Sequence, residues 1–155
     1  MRTRKTWREK LDNGRDPKVV RLEKNFGGIP AGSDMLVSTP REVDALLRQV
    51  PSGQLVSLEE IRNKLAAKHG ADGACPMSTA MFLRIACEAA WEQIDQGQDP
   101  DQVTPFWRAV PPDSPLAEKL TCGEAFLRKM QRQEGISSST RGGSIAGVKP
   151  RASSR

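Results

Sequence analysis

Residues 76–94, PMSTAMFLRIACEAAWEQI, decide the fold, because they form the longest helical pattern in a chain of 155 residues. The segment is apolar almost all round, and its polar residues Arg84, Glu88 and Glu92 form one stripe at four-residue spacing. A helix that is apolar on most of its surface is buried by its neighbours. We therefore expect a largely buried helix starting near Pro76, with the other elements packed around it.

Two amphipathic helices are predicted before this segment. Residues 39–50, TPREVDALLRQV, combine an N-cap threonine, a proline at the first helical position and a capping-box glutamate. Apolar residues then follow at the spacing of one helix face: Val43, Leu46, Leu47 and Val50. A second capping box, Ser57 to Glu60, opens a helix that ends at Gly70. Residues 115–135 predict one or two further helical pieces.

These patterns predict a mainly α fold with one or two short strands, and residues 34–38, DMLVS, are the strand candidate. Two helices separated by KHGADGACP, residues 68–76, are typical of a winged helix-turn-helix-like domain with a long turn. We expect residues 1–38 to form a basic N-terminal arm and residues 39–135 the folded domain. Residues 136–155 are rich in Ser, Gly and Arg without a hydrophobic period, which predicts a disordered basic tail.

The net charge of +5 is unevenly distributed. Residues 1–24 hold nine Lys/Arg against four Asp/Glu, and residues 136–155 hold four basic residues and no acidic one. The middle of the chain is acidic, with eleven basic against fifteen acidic residues. Basic flanks are attracted to a phosphate backbone without reading its sequence, although they also serve solubility alone.

Several classes of protein are disfavoured by the composition. No run approaches the roughly 18 apolar residues of a membrane span, and the N-terminus lacks the apolar core of a secretory signal. We therefore expect a cytoplasmic protein with no membrane contact. We also expect it to be a monomer. Three widely spaced cysteines without a C-x-x-C pair predict neither a disulfide framework nor a zinc site. We expect no cofactor.

Residues 103–110, VTPFWRAV, contain two of the seven Phe and Trp residues of a chain that has no Tyr, so the role of these two rings needs an explanation. The segment lies between polar, turn-rich stretches, which favours a surface crossing. Two interpretations remain: Phe106 and Trp107 form the wall of a base-binding pocket, or they fill the core. Arg108 is expected to donate hydrogen bonds to nearby carbonyls rather than to contact phosphate.

Three motifs in the correct order resemble the DNA-binding domain of the methylated-DNA–protein cysteine methyltransferases, over residues 40–135. That family's core begins Ile-Pro-x-Gly-x-Val-Thr-Thr-Tyr-Gly-Glu-Ile-Ala, and residues 50–62, VPSGQLVSLEEIR, align with it without a gap. Pro105 and Arg108 match the proline and arginine of the acceptor motif Pro-Cys-His-Arg-Val. The family's closing helix and Glu-Gly pair resemble residues 123–135.

The departures from the family pattern concern its chemistry. Phe106 stands at the position of the alkyl-accepting cysteine and Trp107 at that of the activating histidine, so the resemblance implies a relative of alkyltransferase-like type that binds DNA without repairing it. The family's base-flipping tyrosine falls on Leu58. The resemblance implies double-stranded DNA, with alkylated guanine as a candidate lesion, as the partner. Its expected contact residues are Ser57, Leu58, Ser78, Thr79, Arg84, Pro105, Phe106, Trp107 and Arg108.

Two alternatives stay open beside non-catalytic DNA binding. A protein-interaction module on the same fold is favoured by the acidic middle of the chain. A cysteine enzyme would use Cys75 at a helix N-terminus, where the helix dipole lowers the pKa of a thiol, with His69 as base.

Overall fold

The chain is built mainly from helices, and a computed structural model describes residues 6–12 and 14–136. The helices are α1 (Trp7–Leu11), α2 (Pro40–Arg48), α3 (Leu58–Lys68), α4 (Pro76–Asp95), α5 (Pro115–Lys119) and α6 (Glu124–Gln133). Two 3-10 turns, Pro100–Gln102 and Phe106–Arg108, lie between α4 and α5. The expected mainly α fold class is confirmed, and the three central helices begin where the sequence predicts.

A small three-stranded sheet packs against α3. Its strands are β1 (Lys18–Arg21), β2 (Asp34–Val37) and β3 (Gly73–Ala74), in the order β1-β2-β3. The β1–β2 pair is antiparallel and the β2–β3 pair is parallel. The expected strand is β2, whereas β1 and β3 were not predicted, because β3 is only two residues long and β1 needs β2 as its partner.

The N-terminal region differs from the expected basic arm over residues 1–38. Leu36 of β2 is fully buried in the main core, and α1 packs against α4. The side chains of Thr6 and Glu9 form a reciprocal capping box at α1, and Glu92 of α4 accepts the next two backbone N–H groups. Much of this region is therefore part of the folded domain, while residues 1–5 lie outside the described part.

The folded domain extends at least one residue beyond its expected C-terminal boundary at residue 135. Ile136, expected to open the disordered tail, is buried and its N–H donates to the Gln131 carbonyl at 2.8 Å. The remainder of the expected tail, residues 137–155, lies outside the described residues.

Capping differs between α2 and α3. Ser57 and Glu60 form the expected reciprocal box at α3. At α2, the Thr39 hydroxyl accepts from the Glu42 N–H, but the Glu42 carboxylate turns to the Ser38 hydroxyl and to His69. The predicted capping box of α2 is thus only half formed, because Glu42 accepts from Ser38 and contacts His69 instead of the Thr39 backbone N–H.

Helix α4 runs through the centre of the described structure. Its buried side includes Leu83, Ala86, Cys87 and Ala90, which join Val43 and Leu47 of α2 and Ile61 and Leu65 of α3 in one core. Within residues 6–12 and 14–136, no helix is both long and apolar enough to cross a membrane.

Candidate functional site

The aromatic segment 103–110 is part of the core, which corrects the expected surface crossing. Phe106 is 0% and Trp107 3% exposed. The Phe106 ring stacks on Phe126 with 5.9 Å between centroids and meets Trp107 edge-on at 5.5 Å, and Trp91 joins Phe126 at 5.0 Å. Four of the seven large rings form this cluster, so in this conformation neither Phe106 nor Trp107 reaches a flipped base. The sequence left open whether these rings fill the core, because the packing partner Phe126 lies on α6.

A half-buried clamp of hydrogen bonds between Arg108, Trp107 and Glu134 also holds this segment. The Arg108 guanidinium donates to the Glu134 carboxylate at 2.8 Å through Nη2 and to the Val50 carbonyl at 2.7 Å through Nη1. The Trp107 indole N–H donates to the same carboxylate at 2.9 Å, and the Gly53 N–H approaches it at 3.3 Å. Arg108 is therefore a structural donor, with a carboxylate as well as a carbonyl as acceptors.

The electrostatics of this clamp follow from its hydrogen bonds. Burial alone would raise the pKa of Glu134, but the hydrogen bonds from Arg108 and Trp107 outweigh burial and hold the pKa below its ordinary value. The Gln131 amide adds hydrogen bonds to the carbonyls of Trp107 and Val110, at 2.9 and 2.8 Å. The clamp thus joins the end of α6 to the segments around residues 50 and 108.

The N-terminus of α3 lies beside the aromatic segment, as the expected site requires. The Val56 N–H donates to the Arg108 carbonyl at 2.7 Å, which brings Ser57 and Leu58 close to it in space. The Ser57 hydroxyl is occupied by the Glu60 N–H at 3.0 Å, and the half-buried Leu58 packs against the core. Pro105 is half-buried.

The start of α4 holds the next two expected contact residues. Thr79 is 1% exposed, and its hydroxyl donates to the Cys75 carbonyl at 2.6 Å. The Thr79 side chain is therefore not accessible to DNA in this conformation. Ser78 is half-buried and its N–H points to the Cys75 sulfur at 3.5 Å. Ser78 is therefore the more accessible residue of this pair.

The polar stripe of α4, formed by Arg84, Glu88 and Glu92, is largely covered by other parts of the protein. Arg84 lies under the Trp7 ring, 5.4 Å from the ring centroid. Glu88 is 1% exposed and accepts from the N–H and hydroxyl of Thr121, both at 3.1 Å. Glu92 accepts the N–H groups at the start of α1. Arg84 is therefore an internal contact to α1, and both acidic side chains of the stripe are hydrogen-bonded within the protein.

An accessible surface does exist at the start of α4, and the sequence reasoning missed its residues. Met77 and Met81 are 68% and 59% exposed, and α4 has no acidic residue in its first turn. The Arg62 Nε donates to the Ala74 carbonyl at 3.0 Å, which fixes this side chain just before α4 begins. No carboxylate of the described residues forms an ion pair with Arg62. We call Arg62, Met77 and Met81 the α4 entry surface. The sequence did contain an indication of this surface, because the two methionines are four residues apart and lie on a different helix face from the buried Leu83.

The cysteine alternative finds little geometric support. Cys75 is 5% exposed and caps α4, and the His69 Nε2 is 2.6 Å from Glu42 rather than committed to the thiol. Burial raises the pKa of Cys87 well above its ordinary value, and burial together with Glu88 raises the pKa of Cys122 to about 12. Both of these thiols are therefore protonated at neutral pH. Across the described part of the chain, no three potential metal ligands come together.

Comparisons with protein-family models, curated proteins and solved structures give no match to this chain.

Proposed function

We propose that the protein binds duplex DNA without catalysing a reaction on it, and that the α4 entry surface makes the contact. The observation that carries this proposal is the exposure of Met77 and Met81 at the start of a long helix whose acidic stripe is covered. α3 and α4 then act as a helix-turn-helix-like pair, with α4 presented end-on rather than along its length.

The chemistry of the α4 entry surface suits a nucleic acid. Arg62 supplies a positive charge beside the N-terminus of a 20-residue helix, where the helix dipole attracts phosphate. Apolar wedges such as methionine insert between base steps in many DNA-bending proteins. Phosphate attraction would position the protein, and the methionines would contribute apolar contacts.

The absence of catalysis in this proposal is supported by the residue aligned with the acceptor cysteine in the sequence resemblance, Phe106, and by the state of two cysteine thiols. Phe106 accepts no alkyl group, and the raised pKa values of Cys87 and Cys122 keep those thiols in their unreactive form. We expect no covalent methyl transfer when the protein is incubated with DNA that contains O6-methylguanine. Intact-protein mass spectrometry checks this, and a stoichiometric methyl adduct would contradict it.

The proposal includes no preference for alkylated guanine, which serves only as a comparison with plain DNA. The burial of Phe106 and Trp107 favours binding of the duplex surface over capture of an extruded base. We therefore expect alkylated and plain duplexes of one sequence to bind within about twofold, or 0.4 kcal/mol. A preference much larger than this would instead require the aromatic segment to open.

The binding itself is tested by fluorescence anisotropy with a labelled duplex over a range of salt concentrations. Arg62→Gln should lower the slope of log affinity against log salt by about 0.9, the value for one lost phosphate contact. Arg132→Gln on α6 is the matched control, because it removes the same charge from an exposed position. Equal slopes for both variants would refute a phosphate contact at Arg62.

A second candidate function, docking of a protein partner, is favoured by the same exposed methionines, because flexible Met-rich surfaces are common in protein recognition. The salt titration separates the two functions. Absence of measurable duplex binding at low salt would leave the protein-docking function as the better account of this surface.

A further inference from the structure

A polar pocket lies at the opposite end of α4 from the α4 entry surface. Its volume is about 370 Å³, and its two charged lining residues are Arg8 of α1 and Arg48 of α2. Four side-chain amides complete the polar lining: Gln93, Gln96, Gln98 and Gln102. Among the described residues, no carboxylate lines this pocket. Since α4 has 20 residues that each rise about 1.5 Å, the pocket is roughly 30 Å from the start of the helix.

Backbone contacts fix the walls of the pocket. The N–H groups of Trp7 and Arg8 donate to Glu92 at 2.9 and 3.1 Å, which ties α1 to the last turns of α4. Gly97 has a φ of 106°, a conformation that favours glycine, and it turns the chain so that the Gln98 N–H donates to the Gln93 carbonyl at 2.9 Å. The lining side chains therefore project from an anchored backbone.

The charge balance of the pocket is positive. The Arg48 Nε pairs with Asp44 at 3.2 Å, whereas the Arg8 guanidinium has no ion pair with any described carboxylate. The C-terminus of α4 contributes roughly −0.5 of an elementary charge, which the Arg8 guanidinium exceeds, while Arg48 adds further N–H donors to the lining. An anion is therefore attracted here despite the unfavourable end of the helix dipole.

An adjoining cleft of about 650 Å³ shows why the smaller pocket is the better anion site. The larger cleft includes Arg41, but four carboxylates also line it: Glu9, Asp12, Asp44 and Glu92. These carboxylates are bonded to groups of the protein itself, such as Asp12 to Arg41 at 3.0 Å. Four carboxylates outnumber three arginines in that cleft, which shares Arg8, Arg48 and two glutamines with the smaller pocket. Within the described part of the chain, no carboxylate lines the smaller pocket.

We propose that the smaller pocket binds the phosphate group of a small polar phosphate ester. Guanidinium forks match the geometry of phosphate oxygens, and glutamine amides both donate and accept hydrogen bonds, as hydroxyl groups and base edges require. The pocket volume lies within the roughly 300–1,000 Å³ of small-molecule sites. Inorganic phosphate, a sugar phosphate and a nucleoside monophosphate share the anionic group and differ in what the amides contact.

The test is calorimetric titration of the full chain with inorganic phosphate, ribose 5-phosphate and adenosine monophosphate, at an ionic strength held constant with NaCl. We expect saturable binding, tighter for at least one ester than for inorganic phosphate. Arg8→Gln should weaken binding about tenfold, by loss of a charge-assisted hydrogen bond. It leaves the backbone contact to Glu92 in place, so α1 should remain anchored.

Arg132→Gln is the control, since it removes one positive charge from α6 outside the pocket, and it should leave the affinity unchanged. Absence of saturable binding for all three ligands would overturn the proposal, as would an equal loss in both variants. Equal affinity for all three ligands would overturn the role given to the amides. None of these outcomes depends on DNA binding.

Discussion

The aromatic segment and the start of α4 both carry prominent apolar side chains, yet the structure treats them in opposite ways. Phe106 and Trp107 are at most 3% exposed and are held by the Arg108–Glu134 clamp. Met77 and Met81 are more than half exposed. The residues whose sequence looked most like a binding motif are structural, and two inconspicuous methionines are accessible. Adjacent rings in a polar context are therefore a weaker indication of a binding site than accessibility itself.

The contrast also concerns polar groups. In the aromatic segment, the Arg108 charge is neutralised within the protein at 2.8 Å from Glu134. At the start of α4, Arg62 is positioned by a neutral carbonyl and keeps its charge available for a partner. An arginine beside a carboxylate stabilises the fold, whereas one beside a carbonyl at a helix N-terminus is placed to meet an anion.

The largest effect is expected for Trp107→Ala. A buried tryptophan replaced by alanine loses burial and leaves a cavity, so we expect the free energy of unfolding to fall by about 3–5 kcal/mol. Denaturant unfolding measures this loss. Trp7→Ala, at a half-buried tryptophan on α1, is the control and should cost less. Similar small losses in both variants would show that the aromatic segment is not part of the core.

A smaller effect is expected for Glu134→Gln, which removes the charge of the clamp. Loss of its charge-assisted hydrogen bonds should lower the free energy of unfolding by about 1.5–3 kcal/mol at neutral pH. Because the folded-state pKa of Glu134 lies below the ordinary value of 4.5, this contribution is fully present above that pH. It should disappear as the pH falls through the folded-state pKa.

The measurement is the difference in unfolding free energy between wild type and Glu134→Gln at a series of pH values. Glu124→Gln is the control, because Glu124 pairs with Arg128 at an exposed position and should contribute little. A difference for Glu134 that stays constant into strong acid would contradict the assigned ionisation.

The smallest effect on stability is expected at the α4 entry surface. Met77→Ser and Met81→Ser replace exposed side chains, so each should change the free energy of unfolding by no more than about 0.5 kcal/mol. Thermal and denaturant unfolding of the single variants check this. A loss above about 2 kcal/mol would mean that the methionines are packed in the folded protein, and would remove the contrast between the two regions.

Local signals were sufficient to predict much of the fold. The N-cap residues and apolar spacing of α2, α3 and α4 are encoded within a few residues, so their positions follow from the sequence. Helix α1 also has a local capping box at Thr6 and Glu9, but it is only five residues long and depends on Glu92, 85 residues from Trp7. Such a contact is not visible in a local pattern.

The candidate site was harder to predict for the same reason. Whether Phe106 lines a pocket or fills the core depends on Phe126. Whether the acidic side chains of α4 are covered depends on α1 and Thr121. These partners are distant in sequence, and each pairing forms only when the chain folds. Arg108 was predicted as a structural donor to carbonyls, but its acceptors, the Val50 carbonyl and the Glu134 carboxylate, are both distant in sequence.

The most direct test of DNA binding through the α4 entry surface compares two variants in one duplex-binding assay at fixed salt. Trp107→Phe keeps most of the ring packing and removes only the indole donor to Glu134, so it should bind DNA within about twofold of wild type. Met77→Ser combined with Met81→Ser should weaken binding by about tenfold or more, because partial burial of two methionines is lost. Wild-type affinity in the double methionine variant, together with a clear loss in Trp107→Phe, would contradict the account and return the contact to the aromatic segment.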